Sequence, residues 1–287
     1  HDLITAEPFF SSRDTLVNDL EIELKNGNSR VVFLAGIPGT GKTNIVSKIS
    51  GKRNSIVNIR YYAYEPIDPM KEYLPMDVSK RVEKETFWNE LFSQLRRLLK
   101  GQLKKYEVPV INGFMTLEEM REQFFKIASQ YAADNNSTFI IAIDGIDHAA
   151  RAGYKSETFL GSLPNPEYVP SNVKILLAGQ PKEAYKNYPL WLYEKADNLK
   201  EIFVPPLQIN DIFELVKSKF PEKTLVYHQQ LAGLIDKYAQ GNTLAAIFSV
   251  HEAIQHPDPV ELEKQLQNRK LGGNIQEYYK TIWDVLC

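Results

Sequence analysis

Five short runs rich in apolar residues recur before Pro205 and predict the strands of one sheet. Two of them, Thr138–Ile143 and Val173–Ala178, are apolar except for Thr138 and Lys174, which is typical of central strands in a parallel sheet covered on both faces. The other predicted strands are Val31–Ala35, Ile56–Tyr62 and Glu201–Val204. Apolar residues at helical spacing lie between them, most clearly in Thr86–Tyr106 and Leu117–Ala133. This alternation predicts an α/β fold, a parallel sheet between two layers of helices.

The pattern changes at Pro205, beyond which no strand-like run remains. Helical periodicity continues in Ile209–Phe220, Tyr227–Gln240, Leu244–Gln255 and Pro259–Asn268. We therefore expect residues 1–205 to form the α/β domain and residues 206–272 a small all-helical domain. Right-handed crossovers would place the loops that follow the strands at one edge of the sheet, where α/β proteins bind their ligands.

Composition narrows the class of protein without naming a function. The chain has 287 residues, of which 43% are hydrophobic and 24% charged, and its 34 basic and 36 acidic residues leave a net charge of -2. This balance predicts neither nucleic acid nor an anionic membrane as partner. The apolar runs are too short to span a bilayer. A single cysteine, Cys287, and the lack of a signal-peptide pattern lead us to expect a cytoplasmic protein.

The most specific motif directly follows the first predicted strand. Residues 36–43 read Gly-Ile-Pro-Gly-Thr-Gly-Lys-Thr, which matches the phosphate-loop pattern Gly-x-x-x-x-Gly-Lys-[Ser/Thr]. A glycine-rich turn that opens a helix directs several backbone N–H groups into one concavity, where the helix N-terminus adds positive potential. In this pattern Lys42 reaches the β- and γ-phosphates and the Thr43 hydroxyl coordinates Mg²⁺. The predicted nucleotide-binding residues of this segment are Gly36, Pro38, Gly39, Thr40, Gly41, Lys42, Thr43 and Asn44.

A second motif places carboxylates at the end of the third predicted strand. Asp144 ends this strand, where an acid can lie beside a metal bound to Thr43, so we predict that Asp144 also ligates Mg²⁺. Asp147 follows in the next turn and is predicted to polarise the water that attacks the γ-phosphate, with His148 and Arg151 assisting. Three alternatives stay open: Asp147 caps a short helix, His148 is structural, and Arg151 pairs with a local carboxylate.

Gln180 follows the predicted strand Val173–Ala178 and is a candidate sensor of the γ-phosphate. This role requires that the strand lie between the two strands that carry the motifs. A simple turn at the exit of the strand is the alternative.

The order of these motifs resembles the STAND class of P-loop NTPases, which includes the NACHT and NB-ARC switch ATPases. Four stretches carry the likeness, and they span nearly the whole chain. They are Phe9-Phe10-Ser11-Ser12-Arg13-Asp14, the phosphate loop, Asp144-Gly145-Ile146-Asp147, and Gly241-Asn242-Thr243-Leu244-Ala245. Three positions depart from the family pattern: Ser12 replaces a glycine, Gln180 an arginine and Thr243 a proline.

The resemblance implies a function as well as a fold. It places Phe10 and Arg13 on the adenine side of the nucleotide, and Thr243 and Leu244 in a helical lid that closes over it. Residues 273–287 resemble the start of a winged-helix domain. The family binds ATP or ADP with Mg²⁺, hydrolyses ATP slowly and assembles into homo-oligomers on activation, with fused effector and sensor domains outside this chain. Bacterial members often act in antiphage defence.

Two other functional classes remain as alternatives. An AAA+ ATPase that acts on nucleic acid, similar to origin-recognition proteins, normally has an arginine where Leu244 stands, and Arg269 is the only arginine after Arg151. A small-molecule kinase would use the same loop to phosphorylate a metabolite. Translational-type GTPases are disfavoured because the chain has no Asn-Lys-x-Asp motif.

Overall fold

The computed structural model describes residues 10–51, 55–64, 80–109, 115–153, 157–194 and 196–268. The chain divides into two compact units, and residues 15–36 and 42–203 belong to the first. The second contains residues 8–14, 37–41 and 204–287. The tip of the phosphate loop is therefore part of the second unit, whereas both ends of the loop belong to the first. Phe9 and the resemblance to a winged helix at 273–287 lie outside the described residues.

A five-stranded parallel sheet forms the centre of the first unit. Its strands lie in the order β2-β3-β4-β1-β5. Their bounds are β1 Val31–Ala35, β2 Ile59–Tyr62, β3 Phe139–Asp144, β4 Val173–Gly179 and β5 Leu199–Phe203. This sheet, with helices around it, confirms the predicted three-layer α/β fold of the P-loop NTPase type.

Burial along the strands follows their positions in the sheet. Every residue of β1, β3 and β4 is buried, whereas β2 alternates between buried and half-buried residues and β5 is partly exposed, as expected for strands at the two edges. The predicted second strand began at Ile56, but β2 begins at Ile59. The Asn58 side chain accepts a hydrogen bond from the Ile140 N–H at 2.7 Å. A side-chain oxygen thus takes the place of a backbone carbonyl in the next hydrogen bond between β2 and β3.

Five α-helices belong wholly or largely to the described part of the first unit. They are α1 Ser12–Asn26, α2 Lys42–Ser50, α3 Lys84–Leu98, α4 Leu117–Asp134 and α5 Ile146–Ala152. A reciprocal capping box between Thr116 and Glu119 begins α4. The sequence pattern predicted that α3 would continue to Tyr106, but α3 ends at Leu98. Gly101 adopts a φ of +87°, which turns the chain away from the helix.

Two layers of helices cover the sheet, because alternate strand residues face opposite sides. Val31 and Phe33 of β1 belong to a hydrophobic core that includes residues of α3 and α4, whereas Val32 is equally buried but lies outside that core. Helix α2 contacts β3 and β4. Aromatic side chains dominate the α3–α4 side, where Trp88 packs edge-on against Phe124 and donates a hydrogen bond to Ser162 at 3.0 Å.

The described part of the second unit from Ile209 to Asn268 consists mainly of helices. Its helices are α6 Ile209–Lys219, α7 Leu225–Ala239, α8 Thr243–Gln255 and α9 Pro259–Asn268. They share one hydrophobic core, which also contains Phe10. The first unit ends at Phe203 and the second resumes at Val204, and the sequence pattern predicts the domain boundary after residue 205. Within the described residues, no helix is both long enough and apolar enough to cross a membrane.

Candidate nucleotide-binding site

The two ends of the phosphate loop are fixed within the first unit. The Gly36 N–H donates a hydrogen bond to the Gly179 carbonyl at 3.1 Å, which continues the pairing of β1 with β4. Helix α2 begins at Lys42, whose Nζ donates to the Gly36 carbonyl at 2.6 Å. The lysine side chain therefore reaches back across the loop to the residue that follows β1.

The tip of the loop, which belongs to the second unit, depends on two glycines. Gly39 has a φ of +80° and Gly41 a φ of +90°. Residues with a Cβ rarely adopt such angles, so these positions account for the glycines of the motif. The Thr40 hydroxyl donates to the Ile37 carbonyl at 2.8 Å and closes the turn.

Lys42 lies in an electrostatic environment formed by burial and two carboxylates. Burial lowers the pKa of the Lys42 ammonium, and the nearby charges of Asp147 and Asp144 counteract this effect. The site thus contains a desolvated cation that an anionic ligand would stabilise. Asn44, also predicted to bind nucleotide, lies half-buried in the first turn of α2.

Asp144 ends β3 and is almost completely buried, with 6% of its surface exposed. Burial raises the pKa of its carboxyl to about 6, and the charge of Asp147 adds to this rise. A hydrogen bond from Thr43 and the charge of Lys42 act in the opposite direction. The first turn of α2 and the end of β3 are therefore in direct contact.

The Thr43 hydroxyl and the Asp144 carboxylate fit a magnesium site. Both are hard oxygen ligands, and a cation beside Asp144 would offset the desolvation that raises the pKa of its carboxyl. No group of three or more His, Cys, Asp or Glu side chains suited to a metal occurs among the described residues. Mg²⁺ matches this situation because it retains several waters and takes further ligands from phosphates.

Asp147 does not cap α5, so the capping alternative is wrong. Gly145, with a φ of +81°, is the N-cap residue, and Asp147 lies in the first turn. Asp147 as a residue is 5% exposed, and its Oδ2 accepts hydrogen bonds from Gln180 at 3.0 Å and from Arg151 at 3.3 Å. Arg151 thus pairs with a local carboxylate, as one alternative proposed.

His148 belongs to the same cluster. Burial lowers the pKa of its imidazole, which favours the neutral ring. Nδ1 of the neutral ring can accept a hydrogen bond from Nη2 of Arg151, which lies 3.1 Å away. Its ring stacks on Tyr64, with 4.6 Å between centroids. No local pattern predicts this stacking, because Tyr64 lies just beyond β2 and the two residues are far apart in the chain.

The position of Gln180 meets the condition set by the sequence. β4 lies between β3 and β1, so the residue after β4 lies between the phosphate loop and the β3 carboxylates. The Gln180 side chain donates a hydrogen bond to Asp147, and the backbone carbonyl of Gln180 accepts one from the Tyr188 hydroxyl at 3.1 Å. Gln180 is therefore part of the cluster around Asp147.

The remaining predicted residues lie in the second unit. Phe10 is buried in the core of this unit, and Arg13 is 3% exposed and donates to the Pro205 carbonyl. Burial lowers the pKa of Arg13, an effect that the charge of Asp211 counteracts. Nη2 of Arg13 is buried and makes no hydrogen bond within the described structure, which leaves a donor for a ligand.

Thr243 and Leu244 begin α8, and both contact the backbone of the loop tip. The Leu244 N–H donates to the Gly39 carbonyl at 2.9 Å, and the Thr243 hydroxyl donates to the Thr40 carbonyl at 3.2 Å. Asn242, which is not among the predicted site residues, donates from Nδ2 to the Pro38 carbonyl at 2.8 Å. An Asn directly before an apolar helix is an N-cap signal, but that signal does not reveal a contact with a distant loop.

Comparison with known proteins decides the family. The AAA domain family matches residues 25–187, which is more than half of the chain and includes the phosphate loop, both carboxylates and Gln180. The chain belongs to the AAA domain family. It is accordingly a P-loop ATPase domain of the AAA type, whose fold implies nucleotide binding.

Three solved structures are similar to the chain, and the one with a TM-score above 0.5 agrees with the P-loop fold. A Walker-type ATPase of Pyrococcus abyssi superposes with a TM-score of 0.55 at 18% identity, over 91% of this chain and 72% of that one. The ORC2 protein of Aeropyrum pernix in its ADP form superposes with a TM-score of 0.47 at 13% identity, over 89% of this chain and 67% of that one. A STAND protein of Pyrococcus horikoshii with a tetratricopeptide repeat sensor superposes with a TM-score of 0.39 at 18% identity, over 79% of this chain and 28% of that one. No curated protein matches the chain.

Proposed function

We propose that this AAA-family chain binds ATP with Mg²⁺, hydrolyses ATP, and acts as a nucleotide-controlled switch of the STAND type. The hydrogen bond between Thr43 and the buried carboxylate of Asp144 is the observation that carries the proposal. It brings the residue after the phosphate-loop lysine to the acid at the end of β3, the pair that holds Mg²⁺ in P-loop ATPases.

Each site residue of the first unit then has a defined role. Lys42 neutralises charge on the β- and γ-phosphates, and its lowered pKa reflects burial that phosphate oxygens would offset. Mg²⁺ bound by Thr43 and Asp144 would supply the remaining positive charge. Asp147 orients the attacking water, and its carboxylate direction is fixed by Gln180 and Arg151.

The reaction is the hydrolysis of the terminal phosphoanhydride bond. The water oxygen attacks the γ-phosphorus, the bond from this phosphorus to the bridging oxygen breaks, and ADP and inorganic phosphate leave. Asp147 accepts a hydrogen bond from the water and removes its proton as the new bond forms.

The STAND assignment rests on sequence features beyond the phosphate loop. Asp144-Gly145-Ile146-Asp147 matches the STAND signature, and Gly241–Ala245 resembles the lid motif. In such a switch, ATP and ADP have different affinities for two conformations, so the γ-phosphate shifts their populations and slow hydrolysis resets them. Assembly into a homo-oligomer, signalling to a fused effector and a role in antiphage defence belong to this proposal.

A lysine variant tests the proposed nucleotide site. We expect Lys42→Ala to lose ATP and ADP binding in isothermal titration calorimetry, together with the release of inorganic phosphate from ATP. Lys48→Ala, which removes the same charge from the last turn of α2, is the matched control and should bind like the wild type. Unchanged ATP affinity in Lys42→Ala would refute the proposal, and a phosphorylated metabolite in place of free phosphate would indicate a kinase.

An AAA ATPase that acts on nucleic acid is the second candidate, and its ATPase class agrees with the AAA family match. Leu244 at the position of the usual arginine speaks against it. The two candidates differ in DNA binding. Affinity for duplex DNA that falls steeply with salt concentration would favour the nucleic-acid ATPase, whereas ATP-dependent assembly without DNA affinity would favour the switch.

A further inference from the structure

The carbonyl groups of three consecutive loop residues are all occupied by the start of α8. The donors are the Asn242 side chain, the Thr243 hydroxyl and the Leu244 N–H. Their acceptors are the carbonyls of Pro38, Thr40 and Gly39, at 2.8, 3.2 and 2.9 Å respectively. All six residues lie in the second unit, where we call Asn242–Leu244 the loop clamp.

This arrangement determines which side of the loop backbone faces a ligand. In a planar trans peptide the C=O and the N–H of one unit point in opposite directions. Because the clamp takes the carbonyls of residues 38–40, the N–H groups of Gly39, Thr40 and Gly41 point the opposite way. The Thr40 N–H makes a long bond of 3.4 Å to Ile37. Carbonyl oxygens aimed at a triphosphate would repel it, whereas N–H groups attract it.

Asn242 is the central residue of the clamp because both ends of its amide are used. Its Oδ1 accepts a hydrogen bond from the Ala245 N–H at 3.0 Å and caps α8, while its Nδ2 donates to Pro38. If the amide were flipped, Oδ1 would face the Pro38 carbonyl and Nδ2 would face the Ala245 N–H, so acceptor would meet acceptor and donor would meet donor. The side chain is 8% exposed, so an unpaired Pro38 carbonyl there would be poorly hydrated.

The packing around the clamp leaves no room for a Cβ at Gly39, whereas a Cβ at Gly41 would make only an ordinary van der Waals contact. A Cβ added at Gly39 would lie 2.6 Å from Oδ1 of Asn242, and one added at Gly41 would meet the Thr243 side chain at 3.8 Å. Gly39 is therefore required by its backbone angle and by the close approach of Asn242.

We propose that Asn242 is a positioning residue for the phosphate loop, which it holds in the phosphate-binding conformation before a nucleotide arrives. The proposal deepens the proposed function and rests on it. Preorganisation of this kind increases affinity, because the loop does not have to be ordered during binding. It also differs from the lid role implied by the family resemblance, in which this motif contacts the nucleotide itself.

The variant Asn242→Ser separates the clamp from the helix cap. Serine is a good N-cap residue and adds no charge, but it is too short to replace the amide that reaches Pro38. We expect the affinities for ATP, ADP and inorganic pyrophosphate to fall about tenfold, the effect of one lost hydrogen bond to a poorly hydrated carbonyl. Pyrophosphate is informative because it has no adenosine for a lid to contact.

Thr224→Ala is the matched control, since Thr224 caps α7 in the same unit through the Tyr227 N–H and does not belong to the clamp. It should bind nucleotides and pyrophosphate like the wild type. Equal losses in Asn242→Ser and Thr224→Ala would reveal general destabilisation of the helices and overturn the positioning role. If Asn242→Ser does not fold, Thr243→Val removes one clamp donor with little change in shape and should weaken pyrophosphate binding severalfold.

The same titrations distinguish failure of this inference from failure of the proposed function. Wild-type affinity in both clamp variants, with binding lost in Lys42→Ala, would refute the clamp alone. Absence of nucleotide binding by the wild-type protein would refute the proposed function and the clamp with it.

Discussion

Replacing Asp144 by asparagine should stabilise the nucleotide-free protein. The Asp144 carboxylate is buried at the end of β3, and burial raises its pKa from the ordinary value of 3.8 to about 6. The charged form is therefore less favourable in the folded than in the unfolded chain. Asparagine has nearly the same shape and can still accept the hydrogen bond from Thr43, but it has no charge to desolvate.

The expected gain follows from the difference between the two pKa values. Because the folded protein binds the proton more tightly, it holds more protons than the unfolded chain between pH 3.8 and 6, and its stability falls as the pH rises through that window. A rise of about two pH units corresponds to about 3 kcal/mol above pH 7. At pH 5 only part of this penalty has developed, so the gain should be about 1.5 kcal/mol.

Urea denaturation without nucleotide or Mg²⁺ measures this gain at pH 7.5 and pH 5.0. Trp88 and Trp191 are buried in the first unit, so their fluorescence reports its unfolding. Asp134→Asn is the control, because the ion pair with Lys105 at 2.7 Å lowers the pKa of this exposed carboxyl. That variant should be slightly less stable at pH 7.5. An Asp144→Asn protein no more stable than the wild type at pH 7.5 would refute the reasoning.

Two further predictions concern other parts of the first unit. Gln180→Ala removes a hydrogen bond that orients Asp147, so phosphate release in a single turnover should slow about tenfold, while the ATP affinity measured by calorimetry stays unchanged. Weaker ATP binding at an unchanged rate would instead favour a direct contact between Gln180 and the γ-phosphate. Trp88→Ala empties a fully buried aromatic position and leaves Ser162 without its donor, so urea denaturation should show a loss of about 3–5 kcal/mol, and a loss below 1 kcal/mol would contradict the packing described.

The sequence predicts the strands well because their signal is local. Continuous burial on both faces requires the apolar runs of β3 and β4, and each strand ends within one residue of its predicted bound. The predictions were less accurate where one residue overrides the periodicity. Asn58 shortens β2 by taking a rung of the ladder with its side chain, and Gly101 ends α3 early through its left-handed backbone.

Within the candidate site, the motifs identified residue types but not their partners. Asp147 and Gln180 were both predicted, yet the bond between them depends on β4 lying beside β3, which a single sequence does not specify. The contact between Asn242 and Pro38 spans 204 positions in the chain, and an N-cap signal accounts for only one of the two hydrogen bonds of Asn242. Contacts of this range follow from the fold and not from a local pattern.

The charges of the first unit explain why nucleotide and metal should bind together. Burial lowers the pKa of Lys42 and raises the pKa of Asp144, so the same desolvation disfavours the charged forms of both groups. Phosphate oxygens would stabilise the lysine but repel the carboxylate, and a divalent cation would do the reverse. Lys42 and Asp144 already attract each other, and the two ligands together would bring each group a further opposite charge, so each ligand should raise the affinity for the other.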